Sequence, residues 1–137
     1  MLARSGSAVV GRVAFREESG RVIARFEFSG LRPNSEHGFH VHANGDCSAP
    51  DASSAGGHFN PGKSKHGHHA VVKKHAGDLP NLRTDGEGIV RGEIPVSLLT
   101  VSPGAYSVVG RAVVIHRDPD NYRSQPAGKS GPRIACG

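Results

Sequence analysis

Residues 43–83 are the part of this 137-residue chain that most constrains its fold. They show no sustained hydrophobic periodicity and consist mainly of Gly, Pro, Ser, Asp, Lys and His. A loop that long is uncommon inside a compact domain unless a function or a ligand organises it. Because the stretch is rich in histidine, we predict that a metal ion organises it and that the remaining segments build the core.

The segments around this loop carry the patterns of β-strands. In residues 22–29 the apolar side chains of Val22, Ala24, Phe26 and Phe28 alternate with polar ones, which predicts a half-buried antiparallel strand. The polar, glycine-containing segment that precedes it predicts a hairpin turn. The other predicted strands are residues 8–15, 38–42, 89–96 and 105–116, with the hairpin turn at 16–20 and a second irregular loop at 117–132.

Composition agrees with the strand patterns and limits the choice of partners. Nineteen glycines and nine prolines indicate many turns and argue against long helices. Together with the predicted strands and the two irregular stretches, this predicts a β-sandwich or barrel with two long functional loops, as one domain over residues 1–137. The formal charge is +5, but the basic residues are dispersed and tryptophan is absent. This favours a small anion over nucleic acid as partner. No apolar run reaches the ~18 residues of a membrane span.

The two cysteines leave several alternatives open. Cys47 and Cys136 could be two buried thiols, two metal ligands or one long-range disulfide. A disulfide is favoured, and closing a loop of that size stabilises by about 4–5 kcal/mol on the chain-entropy account. It would indicate an oxidising compartment, or a bridge protected by burial.

Eight of the nine histidines lie in residues 37–75. On a strand, His40 and His42 share one face, while Phe39 and Val41 point to the core. A rigid element would thus present two imidazoles, the ligands that suit copper and zinc. Taken alone, the pair could equally be two surface histidines.

Further candidate ligands follow along the chain. His58 lies in a glycine-rich segment that permits close backbone approach, and His75 and Asp78 flank a glycine so that both can converge on one ion. His66 lies between them, and His116 ends the apolar strand 105–116. Two surplus histidines of the loop are expected to be exposed to solvent: His68 and His69.

Seven ordered motifs make residues 9–137 resemble the copper–zinc superoxide dismutases. They are GFHVH (38–42), GDC (45–47), AGGHFNP (55–61), KHG (65–67), HAGDLP (75–80), GRAVVIH (110–116) and RIACG (133–137). The resemblance implies a Greek-key β-barrel or sandwich of immunoglobulin-like type, with one copper and one zinc ion per chain. The implied copper ligands are His40, His42, His58 and His116, and the implied zinc ligands are His58, His66, His75 and Asp78, with His58 bridging both metals.

The resemblance also implies roles for residues that bind no metal. Asp120 matches an aspartate that links a copper-ligand histidine to a zinc-ligand histidine, and Cys47 and Cys136 match an intrasubunit disulfide. Arg133 matches the arginine that guides the anion to copper, and His37 matches a structural histidine.

The implied activity is that of an oxidoreductase, a superoxide dismutase. It would convert superoxide to dioxygen and hydrogen peroxide by alternate reduction and oxidation of copper, with His58 releasing copper and returning a proton. The alternative is a non-catalytic copper- and zinc-binding or metal-delivery module on the same fold, which is expected to lack a copper ligand or Arg133. Superoxide is the expected partner, with no nucleic acid and no membrane.

The resemblance to the family is weaker at both ends of the chain and in the second irregular loop. Residues 2–4 are a weak remnant of a first strand, and family members usually continue beyond residue 137. We therefore expect a homodimer to be possible but weakened by short termini. The second loop resembles bacterial members, with Arg123 and Lys129 as candidates to steer the anion. A periplasmic or secreted location with the signal removed is expected, and a cytoplasmic one is the alternative.

Overall fold

The computed structural model describes residues 1–68, 70–71 and 73–137. This part of the chain contains nine β-strands and a single short 3₁₀ helix, Ser53–Ala55. The strands are β1 (Leu2–Ala3), β2 (Val10–Glu18), β3 (Arg21–Ser29), β4 (Glu36–His37), β5 (Phe39–His42), β6 (Leu82–Arg83), β7 (Val90–Val96), β8 (Ala112–His116) and β9 (Arg133–Cys136).

The strands form two main antiparallel sheets. One has the order β1-β9-β8-β5 and the other the order β2-β3-β7, while β4 and β6 make a separate short pair. The chain changes sheet between β1 and β2, between β3 and β5, between β5 and β7 and between β7 and β8. Three of the neighbouring pairs therefore join strands that are distant in sequence: β1–β9, β3–β7 and β5–β8. The predicted all-β fold is confirmed in its sandwich form, because no strand pairing among the described residues closes the two sheets into a barrel.

The β2–β3 hairpin is longer than the sequence pattern predicted. Residues 16–18 continue β2 instead of turning, and only Ser19 and Gly20 make the turn. Both have positive φ, 50° and 78°, as the two-residue turn that matches strand twist requires. The predicted alternation in β3 is confirmed, since Val22, Ala24, Phe26 and Phe28 are all buried.

Side chains from both sheets build one core. The rings of Phe26 and Phe28 on β3 lie 5.6 and 5.9 Å from that of Phe39 on β5, in edge-to-face contacts. Phe39 and Val41 are fully buried, as predicted for that face of β5. The opposite face of β5 is therefore free to carry the two histidines.

The predicted strand at 105–116 is wrong in its first half. Only Ala112–His116 is a strand, and residues 105–111 turn back on Thr100, whose N–H donates to Tyr106 and whose carbonyl accepts from Val108. Gly110 then adopts a φ of 81°, which an extended strand does not contain. In this apolar run local turn bonds override the strand pattern.

The N-terminal segment and the disulfide both attach to β9. Leu2 pairs with Cys136 and Ala3 with Ala135, so residues 2–3 form the edge strand β1. Cys136 is disulfide-bonded to Cys47, which ties loop 43–83 to the sheet, as predicted. No helix in the described part of the chain has the length and apolar character needed to cross a bilayer.

Three main-chain hydrogen bonds fasten loop 43–83 to β5 in a closed cycle. The Val41 N–H donates to Gly77 at 2.9 Å, the Gly77 N–H to Phe59 at 3.0 Å, and the Phe59 N–H to Val41 at 2.8 Å. A Cβ on Gly77 would lie 2.2 Å from the Val41 carbonyl oxygen, so this approach needs glycine. Because His58 precedes Phe59 and Asp78 follows Gly77, the cycle holds both residues against β5.

Candidate metal centre

Four buried histidine donors meet where β5 and β8 run side by side. The pairing of His40 with Val114 and of His42 with Ala112 fixes two rings on one face of the sheet. A β-bulge between Ile115 and His116 sets the third ring at the end of β8. One nitrogen from each ring lies within 4.8 Å of the others in a set that we call the first donor group: His40, His42, His58 and His116.

Hydrogen bonds fix which nitrogen each ring offers. The Nδ1–H groups of His42 and His116 donate to the carbonyl oxygens of Gly56 at 2.7 Å and Gly131 at 3.1 Å. The opposite nitrogens then carry lone pairs, and buried polar atoms without a partner are rare. The buried ring nitrogens of this group that lack any hydrogen-bond partner are Nδ1 of His40 and Nε2 of His42, His58 and His116. These four orphaned acceptors fit a metal ion.

A second donor group consists of His58, His66, His75 and Asp78. The Oδ1 atom of Asp78 lies 2.8 Å from Nδ1 of His58, 2.8 Å from Nδ1 of His66 and 3.4 Å from Nδ1 of His75. The Nδ1 atoms of His58 and His75 are 3.2 Å apart. Four donors placed 2.0–2.1 Å from a tetrahedral zinc ion would lie about 3.3 Å from one another. The observed spacing is therefore close to that of a zinc shell.

His58 belongs to both groups through its two ring nitrogens. Its Nδ1 faces Asp78 in the second group, and its Nε2 is one of the orphaned atoms of the first. The two candidate ion positions are therefore separated by one imidazole ring. An arrangement of this kind suits an imidazolate that binds two metals at once.

Asp78 is oriented by the main chain of its own loop. Its Oδ2 accepts N–H groups from Gly67 at 3.1 Å and His75 at 3.0 Å, which leaves Oδ1 to face the three histidines. Burial raises the pKa of the Asp78 carboxyl, but the contacts with the histidines outweigh burial and hold that pKa well below its usual range. The carboxylate is thus ionised, as a metal ligand must be.

Asp120 connects the two donor groups through hydrogen bonds to a histidine of each. Its Oδ2 accepts from Nε2 of His40 at 2.8 Å, and its Oδ1 accepts from Nε2 of His66 at 2.8 Å. Both rings therefore turn Nδ1 towards the donor groups. Burial raises the pKa of Asp120, and these two hydrogen bonds outweigh it to lower that pKa overall. A Cβ on Gly128 would lie 1.8 Å from Oδ1, so the bridge needs glycine there.

The two groups differ in the charge that they favour. Burial, followed by the proximity of His58, lowers the pKa of His40 to about 3, and burial lowers that of His116 to about 4. These rings are neutral at neutral pH and offer lone pairs. Burial also lowers the pKa of His66, but Asp120 and Asp78 outweigh it and raise this pKa to about 9. The surroundings of His66 thus favour a positive charge.

Arg133 lies next to the first donor group. It pairs with His116 across β8 and β9, and its Nη1 donates to the carbonyl oxygen of Ala52 at 2.9 Å. Burial is the main cause that lowers the pKa of His42 and His116, and the nearby charge of Arg133 lowers both further. A half-buried guanidinium is thus anchored beside the four orphaned nitrogens.

Three histidines lie outside the donor groups, and the structure describes two of them. His37 is buried, its Nδ1–H donates to the carbonyl of His116 at 2.9 Å, and its other nitrogen lies 2.8 Å from Ser35 Oγ, which fits the structural role implied for it. His68 is half-buried, with its ring 4.6 Å from that of Tyr122, so it is less exposed to solvent than expected. His69 lies outside the described residues.

Sequence reasoning missed two amides that brace the centre. Asn81 Nδ2 donates to the Asp120 carbonyl and Asn81 Oδ1 accepts the Asp120 N–H, both at 2.9 Å. Gln125 makes a similar pair of bonds to the main chain of His66. The partners lie far apart in the chain, so no local sequence pattern predicts either contact.

Comparison with known proteins agrees with this geometry. The profile of the family described as copper/zinc superoxide dismutase (SODC) matches residues 9–137. Cu-Zn superoxide dismutase 1 of Aquifex aeolicus is 43% identical over 93% of this chain and 78% of its own length. The Cu-Zn superoxide dismutase of Yarrowia lipolytica is 44% identical over 98% of this chain and 91% of its own. A crystal structure of a SOD-like protein from Bacillus subtilis superposes with a TM-score of 0.90, at 33% identity over 99% of this chain and 93% of that chain.

The chain therefore belongs to the copper/zinc superoxide dismutase family. The family assignment and the two donor groups agree on the kind of site, a pair of adjacent metal positions. The resemblance read from the seven motifs is confirmed.

Proposed function

We propose that this protein is a superoxide dismutase, an enzyme that turns two superoxide anions and two protons into one dioxygen and one hydrogen peroxide. The observation that carries the proposal is the sharing of His58 between two buried donor groups in a chain of this family. A site that only stored one metal would need no second group joined through the same ring.

We assign copper to the first donor group and zinc to the second. The first group offers four neutral imidazole nitrogens, which suit copper, and the second offers three imidazoles and a carboxylate at tetrahedral spacing, which suit zinc. When bound, copper supplies one-electron redox chemistry with superoxide, whereas zinc supplies none and orders the loop. The assignment gives one copper and one zinc ion per chain.

The chain's own groups would bind the anion and handle protons. Arg133 keeps its charge throughout the physiological pH range and lies at the first donor group, so it would hold superoxide there. Nε2 of His58 is buried and has no hydrogen-bond partner, so it can hold a proton and donate it when peroxide forms. His40, His42 and His116 would keep their places because their other ring nitrogens are already bonded.

The remaining partners and the location follow from charge and from the disulfide. We propose superoxide as substrate, no nucleic-acid or membrane partner, and a single domain over residues 1–137, for which a homodimer is possible. The intrachain disulfide supports an oxidising compartment. We therefore propose a periplasmic or secreted protein, with the cytoplasm as alternative.

One sample tests the proposal if metal content and dismutation are measured together. Protein loaded with copper and zinc should contain one of each per chain and should dismutate superoxide. Copper-free protein that retains zinc should be inactive and should regain activity when copper is added. Full loading without dismutation would overturn the proposal and support the metal-delivery module instead.

A further inference from the structure

Gln125, in loop 117–132, contacts His66 through both ends of its carboxamide. The main-chain N–H of His66 donates to Gln125 Oε1 at 2.7 Å, and Gln125 Nε2 donates to the His66 carbonyl at 2.8 Å. A reciprocal pair of this kind reproduces what a neighbouring strand would supply. Among the described residues, these two main-chain groups have no other hydrogen-bond partner.

The same short segment also holds the imidazole of His66. Asp120 accepts from Nε2 of that ring at 2.8 Å, five positions before Gln125. Segment 120–125 therefore grips His66 at three points, the ring and both main-chain groups. We call Asp120 and Gln125 the His66 clamp.

His66 needs such a clamp because it lies in no strand. His40 and His42 take their positions from the β5–β8 ladder, whereas His66 is in an irregular stretch of loop 43–83. It is nevertheless buried, with 4% of its surface exposed. Buried main-chain groups are costly when unpaired, so the side chain of Gln125 takes the place of a ladder partner.

We propose that Gln125 is a positioning residue of the second donor group. By fixing the main chain of His66 it holds Nδ1 in reach of zinc, and it makes zinc retention depend on loop 117–132. The proposal rests on the zinc site proposed above. Since solvent reaches Gln125, the effect of losing it is expected at the lower end for groups that orient metal ligands, about tenfold in zinc release.

Three variants of the copper- and zinc-loaded protein test this role. Gln125→Met removes both hydrogen bonds at similar size, and Gln125→Glu keeps the acceptor but loses the donor. Arg123→Met is the matched control, an exposed side chain of the same loop. The first measurement is zinc release to a chelator. The second is hydrogen exchange of the His66 amide by NMR, with copper reduced and the disulfide intact. The third is visible absorption after cobalt replaces zinc.

The expected results separate the clamp from general loop stability. The His66 amide should be protected in wild type and in Gln125→Glu, and should lose protection in Gln125→Met. Zinc release should be about tenfold faster in Gln125→Met, intermediate in Gln125→Glu and unchanged in Arg123→Met. The cobalt spectrum should change in Gln125→Met alone among the Met variants, because the geometry of the ligand set shifts.

The outcomes also separate this proposal from the function on which it rests. A wild type that binds no zinc would overturn both. A wild type that holds zinc, with Gln125→Met releasing it at the same rate although the His66 amide has lost protection, would overturn the role of Gln125 alone.

Discussion

The two donor groups share His58 but are held in place by different parts of the molecule. In the first group, three histidines lie on β5 and β8, where the sheet fixes their backbone. In the second group, every ligand lies in loop 43–83, and side chains and turns fix them instead. A metal site can therefore be half prepared by the fold and half prepared by its loops.

The difference is one of conformational entropy. Ordering the backbone of a loop residue costs roughly 1–2 kcal/mol of conformational entropy, whereas strand residues are already ordered when the sheet forms. For the second group the free energy of metal binding is in part the free energy of ordering the loop. Removing metal should thus affect the two halves of the centre unequally.

Removing one unshared ligand from each group should separate the two metal positions most clearly. His116→Ala should abolish dismutation while zinc stays bound, because His116 belongs to the first group alone. His75→Ala should release zinc and leave copper bound. Metal analysis and a dismutation assay on both variants check this, and equal zinc loss in the two would contradict the assignment of the ligands.

Removing the carboxylate should show that only the second group depends on its metal for order. Asp78→Ala should lose zinc, keep copper and speed amide exchange across loop 43–83. Zinc at a hundred times its Kd stabilises by about 2.7 kcal/mol, so its loss should lower Tm by roughly 10 °C. Asp46→Ala, at an exposed aspartate of the same loop, serves as control. If exchange in the wild-type loop does not respond to zinc removal, something other than zinc orders it.

Gly128→Ala should weaken the link between the groups. A Cβ there would lie 1.8 Å from Asp120 Oδ1 and 2.9 Å from His66 Nε2, so the carboxylate must move. Metal affinity should fall about 10–100-fold, the usual effect of losing a group that orients metal-ligating histidine. Gly6→Ala is the control, since Gly6 has a similar φ, 73° against 67°, but open space around it. Similar losses in both variants would point to backbone strain alone.

The smallest expected effect concerns anion guidance at the first group. Arg133→Ala should slow dismutation several-fold with both metals retained, and Arg133→Glu should be slower still, since it repels the anion. Raising ionic strength from ~10 to ~150 mM shortens the screening length from about 30 to 8 Å. The wild-type rate should fall with salt, and the rate of the alanine variant should fall less. Rates of wild type and Arg133→Glu that coincide at low salt would rule out the steering role.

The first group is easier to predict from sequence than the second because three of its ligands lie on β-strands, whose side-chain directions follow a regular pattern. Period-two spacing is enough to place His40 and His42 on one face, and alternation is enough to bury Phe26 and Phe28. Strand 105–116 was only half right, because turn bonds around Thr100 override an apolar pattern. A sequence pattern thus predicts the structure of a segment when the geometry of that segment alone determines it.

The loop ligands and their supports came from resemblance or were missed. The roles of His66 and Asp120 were both implied by their match to positions of the family. Gln125 and Asn81 went unnoticed because each bonds to main chain from a distant segment, and any polar side chain in a turn would look the same. Tertiary contacts of that kind leave no periodic trace in a sequence.

The closed cycle of Val41, Phe59 and Gly77 has a consequence for how such a loop can evolve. Because the chain returns to β5 at Phe59 and again at Gly77, each intervening arc is tethered at both ends. Residues inserted at 61–64 would enlarge an arc without displacing His58 or Asp78 from the sheet. The entropic cost is small, about 0.6 kcal/mol for a doubling of arc length. Length and sequence can therefore drift in these arcs, and new surface can be added there, while the metal centre stays in register.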